Sequence, residues 1–143
     1  MLAVAPRPSN AWRECPNMNL NQITLPSLDI VTSTAFYRAM GFTQIVGAPH
    51  YARFECPDGD STFSVHLVSQ VPGETNVVVY FEVEDVDARV HELKAKGFEF
   101  LGPPSDESWL WREARLKDPS GNILCLYRAG KNRKNPPWRL AAG

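Results

Sequence analysis

No stretch of this chain approaches the ~20 consecutive apolar residues that a membrane-spanning helix requires. Pro6 and Pro8 stand where a secretory signal would need its apolar run. Charge of one sign is equally scarce, since 15 Lys and Arg against 16 Asp and Glu leave a net charge of −1. No whole-chain field therefore draws the protein to nucleic acid or to an anionic membrane. Cysteine is limited to Cys15, Cys56 and Cys125, an odd number at wide, unrelated spacings. That pattern excludes a disulfide framework and a zinc knuckle, and it fits a reducing, cytoplasmic setting. A glycine-rich phosphate loop is missing, as is any ordered Ser-His-Asp constellation.

What the chain does have is a repeat. Asp29 and Gly41-Phe42 are spaced as Asp85 and Gly97-Phe98 are. Ala52-Arg53-Phe54 leads through Pro57 to Gly59 as Ala114-Arg115-Leu116 leads through Pro119 to Gly121. Two matched landmarks in the same order mean two copies of one structural unit. Each copy of about fifty residues is marginal for burying its own core, so the copies are expected to pack together.

Within each copy the pattern reads strand, helix, then three strands. Polar and apolar residues alternate from Leu20 to Leu25, as in a strand with one covered face. Asp29 stands at an N-cap position and Gly41 at a C-cap position, predicting a helix of about three turns. Strands are expected near 43–47, 51–56 and 62–69, with a turn at Pro57-Asp58-Gly59-Asp60. In the second copy, Asn76 to Val83 reads as a strand and Asp85 to Lys96 as a helix closed by Gly97. Pro103-Pro104-Ser105-Asp106 breaks the chain, and strands near 110–117 and 122–128 flank the turn Pro119-Ser120-Gly121-Asn122. The units are module one, 18–70, and module two, 75–128, within one domain, 18–128. Residues 1–17, with Pro6, Pro8 and Pro16, read as a flexible leader, and Met18 is a candidate natural start. Residues 129–143 read as a basic tail around Pro136-Pro137-Trp138, too short and too far from clustered aromatics for a nucleic-acid site. Trp138 is expected to dock on its own sheet edge or on a partner subunit.

Strand alternation divides the first and last strands of each copy by face. Ile23, Leu25, Val65, Leu67, Val79, Phe81, Leu124 and Leu126 point toward the helices. Gln22, Thr24, Ser64, His66, Val78, Tyr80, Cys125 and Tyr127 point the other way. A face mixing polar and aromatic groups suits a ligand. The repeat aligns Gln22 with Val78, and the stretch Val65-His66-Leu67 is matched to Leu124-Cys125-Leu126.

The stretch Gln22-Ile23-Thr24-Leu25-Pro26, the run from Asp29 through Phe36-Tyr37 to Gly41-Phe42, and the ending Asp118-Pro119-Ser120-Gly121-Asn122 resemble the vicinal-oxygen-chelate superfamily. That superfamily includes glyoxalase I, extradiol dioxygenases, fosfomycin-resistance enzymes and bleomycin-resistance proteins. The resemblance covers roughly residues 20–128. It implies an α+β fold in which two βαβββ modules carry sheets that curl around a cavity.

In metal-dependent members the resemblance implies a divalent ion held from the first and last strands. Those positions fall on Gln22, His66, Val78 and Cys125. Val78 cannot coordinate, Cys125 replaces the usual carboxylate, and Gln22 offers only a neutral amide oxygen. A residual set of Gln22, His66 and Cys125 with water would suit zinc. In many metal-free relatives a Trp followed by an Arg borders the cavity, a pattern that Trp109 and Arg112 resemble. The ligand-binding set is therefore Gln22, Thr24, Ser64, His66, Tyr80, Trp109, Arg112, Cys125 and Tyr127, with catalytic residues unassigned. The expected function is metal-independent binding, and sequestration, of a small, partly aromatic organic molecule by a homodimer. No cofactor, nucleic-acid partner or membrane partner is expected. The alternative is a lyase, isomerase, thiol transferase or dioxygenase dependent on Zn, Ni, Fe or Mn. A third reading is a ligand-responsive interaction module using the Pro136-Pro137-Trp138 tail.

Overall fold

The computed structural model describes residues 18–71, 73 and 76–141. The leader, with Cys15, lies outside the described residues. Eight strands and two α-helices follow in the order β1 (Gln22–Ser27), α1 (Ile30–Met40), β2 (Thr43–Ala48), β3 (Tyr51–Glu55), β4 (Thr62–Leu67), β5 (Val78–Glu82), α2 (Val86–Ala95), β6 (Ser105–Asp106), β7 (Arg112–Lys117) and β8 (Ile123–Arg128). They form two four-stranded sheets, β1-β4-β3-β2 and β5-β8-β7-β6. In each sheet the first and last strands run parallel and the other neighbours antiparallel.

Both helices begin and end as the repeat predicts. The Asp29 and Asp85 side chains accept from the backbone N–H groups of Thr32 and Ala88. Each thereby satisfies a donor that the first helical turn leaves free. At the other end Gly41 has φ +113° and Gly97 φ +97°. This left-handed turn lets Phe42 N–H reach the Tyr37 carbonyl and Phe98 N–H reach the Leu93 carbonyl. It also turns Phe42 and Phe98 back onto the core.

The second strand of module two is only Ser105–Asp106, where module one has Thr43–Ala48. Pro103 and Pro104 lack the N–H groups a longer ladder would need. The segment expected only to break the chain thus carries a residual strand.

One hydrophobic core spans both modules, joining Leu25, Tyr37, Phe54, Phe63 and Val65 to Val79, Val90, Leu93, Leu116 and Leu126. Aromatic rings cross the seam: Phe36 meets Phe98 at 5.1 Å, and Phe42 meets Phe81 at 4.9 Å. Leu67, expected on this covered face, is 40% exposed at the end of β4.

A polar tether reinforces the seam. The Asp118 carboxylate, nearly fully buried, accepts from the Tyr37 hydroxyl at 2.6 Å, from Ser120 and Asn122 N–H at 2.9 Å each, and from Asn122 Nδ2 at 2.7 Å. Asn122 Nδ2 also donates to the Pro26 carbonyl, and Leu28 N–H donates to Ser120 Oγ. The turn of module two is thereby pinned to β1 and α1 of module one.

After β8 the chain makes a short 3₁₀ turn, Gly130–Asn132, which the sequence pattern did not signal. Trp138 remains 55% exposed.

Candidate functional site

The pairing register identifies which residues of the two modules are equivalent. Gln22 pairs with Thr62, and Val78 pairs with Ile123, each at the start of its strand pair. Thr24 therefore corresponds to Tyr80, and Ser64 corresponds to Cys125. His66 corresponds to Tyr127, not to Cys125 as the sequence comparison had it; the shift is two residues. On the sheet faces turned away from the core, module one has the row Thr24–Ser64–Arg53 and module two the row Tyr80–Cys125–Arg115.

Module two's face is an aromatic wall around a charge pair. Tyr80 and Tyr127 meet edge to face at 5.3 Å, Tyr80 and Trp111 at 5.6 Å, and Trp111 lies over Tyr127 at 4.8 Å. Such offset and edge contacts suit the quadrupoles of the rings. Trp111 Nε1 donates to the Asn132 carbonyl at 3.3 Å, which ties the 3₁₀ turn to the wall. Arg115 Nη2 lies 3.3 Å from the Tyr80 hydroxyl and 3.4 Å from Glu113 Oε1. Trp109 Nε1 donates to Glu113 Oε2 at 2.7 Å. The turn between Trp109 and Trp111 places Leu110 at φ 68°, a backbone region that bulky residues avoid.

This environment makes the Cys125 thiol and the Tyr80 phenol reluctant acids. Burial, then the neighbouring Glu113 carboxylate, pushes the Cys125 thiol up to about 12. Burial and Glu113 also raise the Tyr80 phenol above its ordinary value. Cys125 has no exposed surface. It packs with Tyr127, Ala129, Val78 and Trp111 as a small hydrophobe.

Module one's face is polar. Gln22 Nε2 donates to Ser64 Oγ at 2.8 Å, and Thr62 Oγ1 donates to Gln22 Oε1. Ser64 Oγ lies 2.6 Å from the Tyr51 hydroxyl, which accepts from Arg53 Nε at 2.9 Å. His66 is exposed near the end of β4, paired with Pro26 and Tyr51, with its ring 6.4 Å from that of His50.

The residues expected to bind a ligand divide accordingly. Gln22, Thr24, Ser64 and His66 lie on the first sheet, and Tyr80, Cys125 and Tyr127 on the second, with Trp109 at its rim. Arg112 is elsewhere. It leaves β7 on the helix side, where Nε and Nη2 donate to Asp87 at 2.7 and 2.8 Å and Nη1 to Asp106 at 2.9 Å. These hydrogen bonds hold the Asp87 carboxyl below its usual value. Residue parity decides the matter: Trp111, Glu113 and Arg115 share the outer face, so Arg112 cannot.

The same register separates the donors proposed for a metal. Gln22 pairs with Thr62, and His66 lies four residues further along the same strand, about 13 Å at ~3.3 Å per residue. Gln22 is already held by Thr62 and Ser64, while the Cys125 thiol sits on the other sheet with its proton retained. These three residues do not fit one divalent ion. Among the described residues, no cluster of three or more His, Cys, Asp or Glu side chains is placed to hold one.

Tyr51, Arg53, Trp111, Glu113 and Arg115 occupy the two faces without having been singled out as ligand contacts. A signal for the arginines existed, because Ala52-Arg53-Phe54 and Ala114-Arg115-Leu116 are matched landmarks of the repeat. Reading each triplet as a strand places its arginine opposite two buried neighbours.

Two clefts lie at the seam. One, of about 340 Å³, is lined by Thr24, Pro26, Val77, Lys117 and Asn122 among others. The other, of about 290 Å³, is lined by Gly41, Phe42, Cys56, Tyr80 and Arg89 among others. Each joins the first strand of one module to the β-turn of the other, and the equivalent residues Thr24 and Tyr80 line one each.

Comparison with known proteins gives concordant results. An uncharacterized protein, YraH, from Bacillus subtilis (strain 168) is 26% identical over 128 residues, covering 78% of this chain and 98% of the relative. The crystal structure of a glyoxalase/bleomycin resistance protein/dioxygenase from Nocardioides superposes with a TM-score of 0.70 at 21% identity, covering 93% of this chain and 96% of the other. A bleomycin-binding protein complexed with bleomycin superposes with a TM-score of 0.65 at 20% identity, covering 78% and 98%. With both modules, the duplicated caps and the pinned turn in place, residues 19–126 match the family model, and the chain belongs to the Glyoxalase/Bleomycin resistance protein/Dioxygenase superfamily.

Proposed function

We propose that the protein binds a small, partly aromatic organic molecule without a metal ion, and that binding serves to sequester it. The observation that carries this reading is the wall of Tyr80, Trp111 and Tyr127 beside Arg115 and Glu113. A planar ligand would stack on the rings, while the guanidinium and the carboxylate would orient its polar substituents. Ligand binding has a parallel in the superfamily's bleomycin-binding structure. Metal independence is supported by the donor set, since Gln22, His66 and Cys125 are not brought together. No helix among the described residues is long and apolar enough to cross a membrane. A homodimer is part of the proposal, because Tyr80, Trp109 and Trp138 remain 39%, 41% and 55% exposed within one chain.

The test combines a thermal-shift screen of planar aromatic compounds, run with and without a chelator, with light scattering for the oligomeric state. Chelation should leave the melting temperature unchanged, because a tightly bound ion would stabilise by RT ln(1 + [L]/Kd). Tyr80→Ala should weaken binding of any hit by about tenfold, the loss of one aromatic contact plus its burial. A stoichiometric metal, or affinity that survives Tyr80→Ala and Trp111→Ala unchanged, would refute the reading.

A further inference from the structure

On the face of the first sheet the protons can be counted. Gln22 Nε2 lies 3.2 Å from the Ile23 carbonyl, which can only accept. That contact fixes the amide orientation, so Oε1 must be the atom that accepts from Thr62 and Nε2 the atom that donates to Ser64. Ser64 has no exposed surface, and its one remaining neighbour is the Tyr51 hydroxyl. Were Tyr51 to donate to Ser64, the serine's own proton would be buried without an acceptor, which is costly. The serine therefore donates to Tyr51, and Arg53 Nε donates to the same oxygen. Both acceptor positions of the phenol oxygen are then filled, and no acceptor for its proton stands among the described residues. Tyr51 is partly exposed, so that proton points outward.

The guanidinium of Arg53 lies beside this outward donor, its central carbon 5.4 Å from the Tyr51 ring centroid. Its Nη groups form no ion pair among the described residues, and Glu55, further along the same strand face, does not claim them. We infer that Tyr51 and Arg53 form a carboxylate-binding site on the open face of the first sheet. The phenol supplies one O–H donor and the guanidinium supplies charge and N–H donors. The hydrogen bond from Ser64, then Arg53, holds the Tyr51 phenol below its ordinary value, which strengthens it as a donor. The other titratable groups facing Tyr51 are His66, its partner on β4, and His50, which precedes it. Both are cationic or neutral, so neither opposes an anion. Thr62, Gln22 and Ser64 are positioning residues that direct the phenolic proton. The aromatic wall lies on the other sheet, so this inference does not depend on the function proposed above.

Benzoate and its neutral isostere benzamide test it by calorimetric titration at pH 7. The wild-type protein should prefer benzoate. Tyr51→Phe and Arg53→Gln should each weaken benzoate by about tenfold or more, the scale of a hydrogen bond to a charged group, and leave benzamide within about twofold. Alkaline absorbance titration tests the chain of donors. The earliest tyrosine transition should vanish in Tyr51→Phe and move to higher pH in Ser64→Ala. A wild-type protein without preference for benzoate, a preference that survives Tyr51→Phe, or an early transition that survives that variant would each overturn the inference.

Discussion

Replacing Tyr37 with Phe removes one oxygen atom from the seam between the modules. Tyr37 has no exposed surface, and its hydroxyl donates to Asp118 Oδ2 at 2.6 Å. Without it, Oδ2 keeps only the Asn122 side chain, while the carboxylate stays buried. A hydrogen bond to a charged group contributes about 1.5–3 kcal/mol, and water is not at hand to replace it. For a domain of this size, each kcal/mol lowers the melting temperature by roughly 3–5 °C. Tyr37→Phe should therefore lower it by about 5–15 °C, measured by calorimetry or circular dichroism. A double-mutant cycle with Asp118→Asn isolates the pair and should give a coupling of about 1.5–3 kcal/mol. Alkaline pH supplies a second signature. Burial, then Asp118, holds the Tyr37 phenol far above its ordinary value. The unfolded chain releases that proton near pH 10 and the folded chain does not, so this contribution to stability is intact below pH 10 and lost above it. The variant should lose part of that alkaline slope. A melting temperature within 2 °C of wild type, or a coupling below about 0.5 kcal/mol, would mean that the turn at 118–122 is held by shape alone.

Two further expectations follow from where side chains point. Arg112→Ala should leave ligand affinity unchanged, and Arg115→Ala should reduce it, because only Arg115 shares a face with Tyr80; equal effects in a binding titration would contradict the strand parity. Cys125, with its thiol raised to about 12, should carry thiolate in roughly one molecule in ten thousand at pH 8 and resist alkylation until the protein unfolds. Peptide mass mapping after iodoacetamide treatment checks this, and rapid native labelling would show that the second sheet opens.

The duplicated fold was legible because it rests on local chemistry. Asp29 and Asp85 cap helices through their own side chains, and Gly41 and Gly97 adopt backbone angles that other residues resist. Those constraints act within a few residues and therefore leave marks at fixed spacings. Strand β6 escaped notice because two prolines erase the alternation that would announce it and only Ser105–Asp106 remains. The fate of Trp138 was not legible either, since whether a ring in a tail is covered depends on what else the chain, or a second copy, brings to it.

The site was less legible for a geometric reason. A strand's alternation assigns faces reliably, yet matching two strands across a repeat requires knowing how long the preceding turns are. Between β3 and β4 the chain spends residues 56–61, and between β7 and β8 residues 118–122, a difference of one residue where the sequence comparison had allowed three. An error of two preserves parity, so His66 and Cys125 were still placed on the outward face while being matched to the wrong partners. The true counterparts, Ser64 and Cys125, are both buried, and each is paired across the sheet with an arginine. The duplication has thus kept a cation at the same place in both modules and changed what stands beside it. In module one Tyr51 lies beside that cation, and in module two Glu113 occupies the same position. One face is left with an arginine that forms no ion pair among the described residues, and the other with a neutralised pair behind aromatic rings, so the two faces differ in the charge they present.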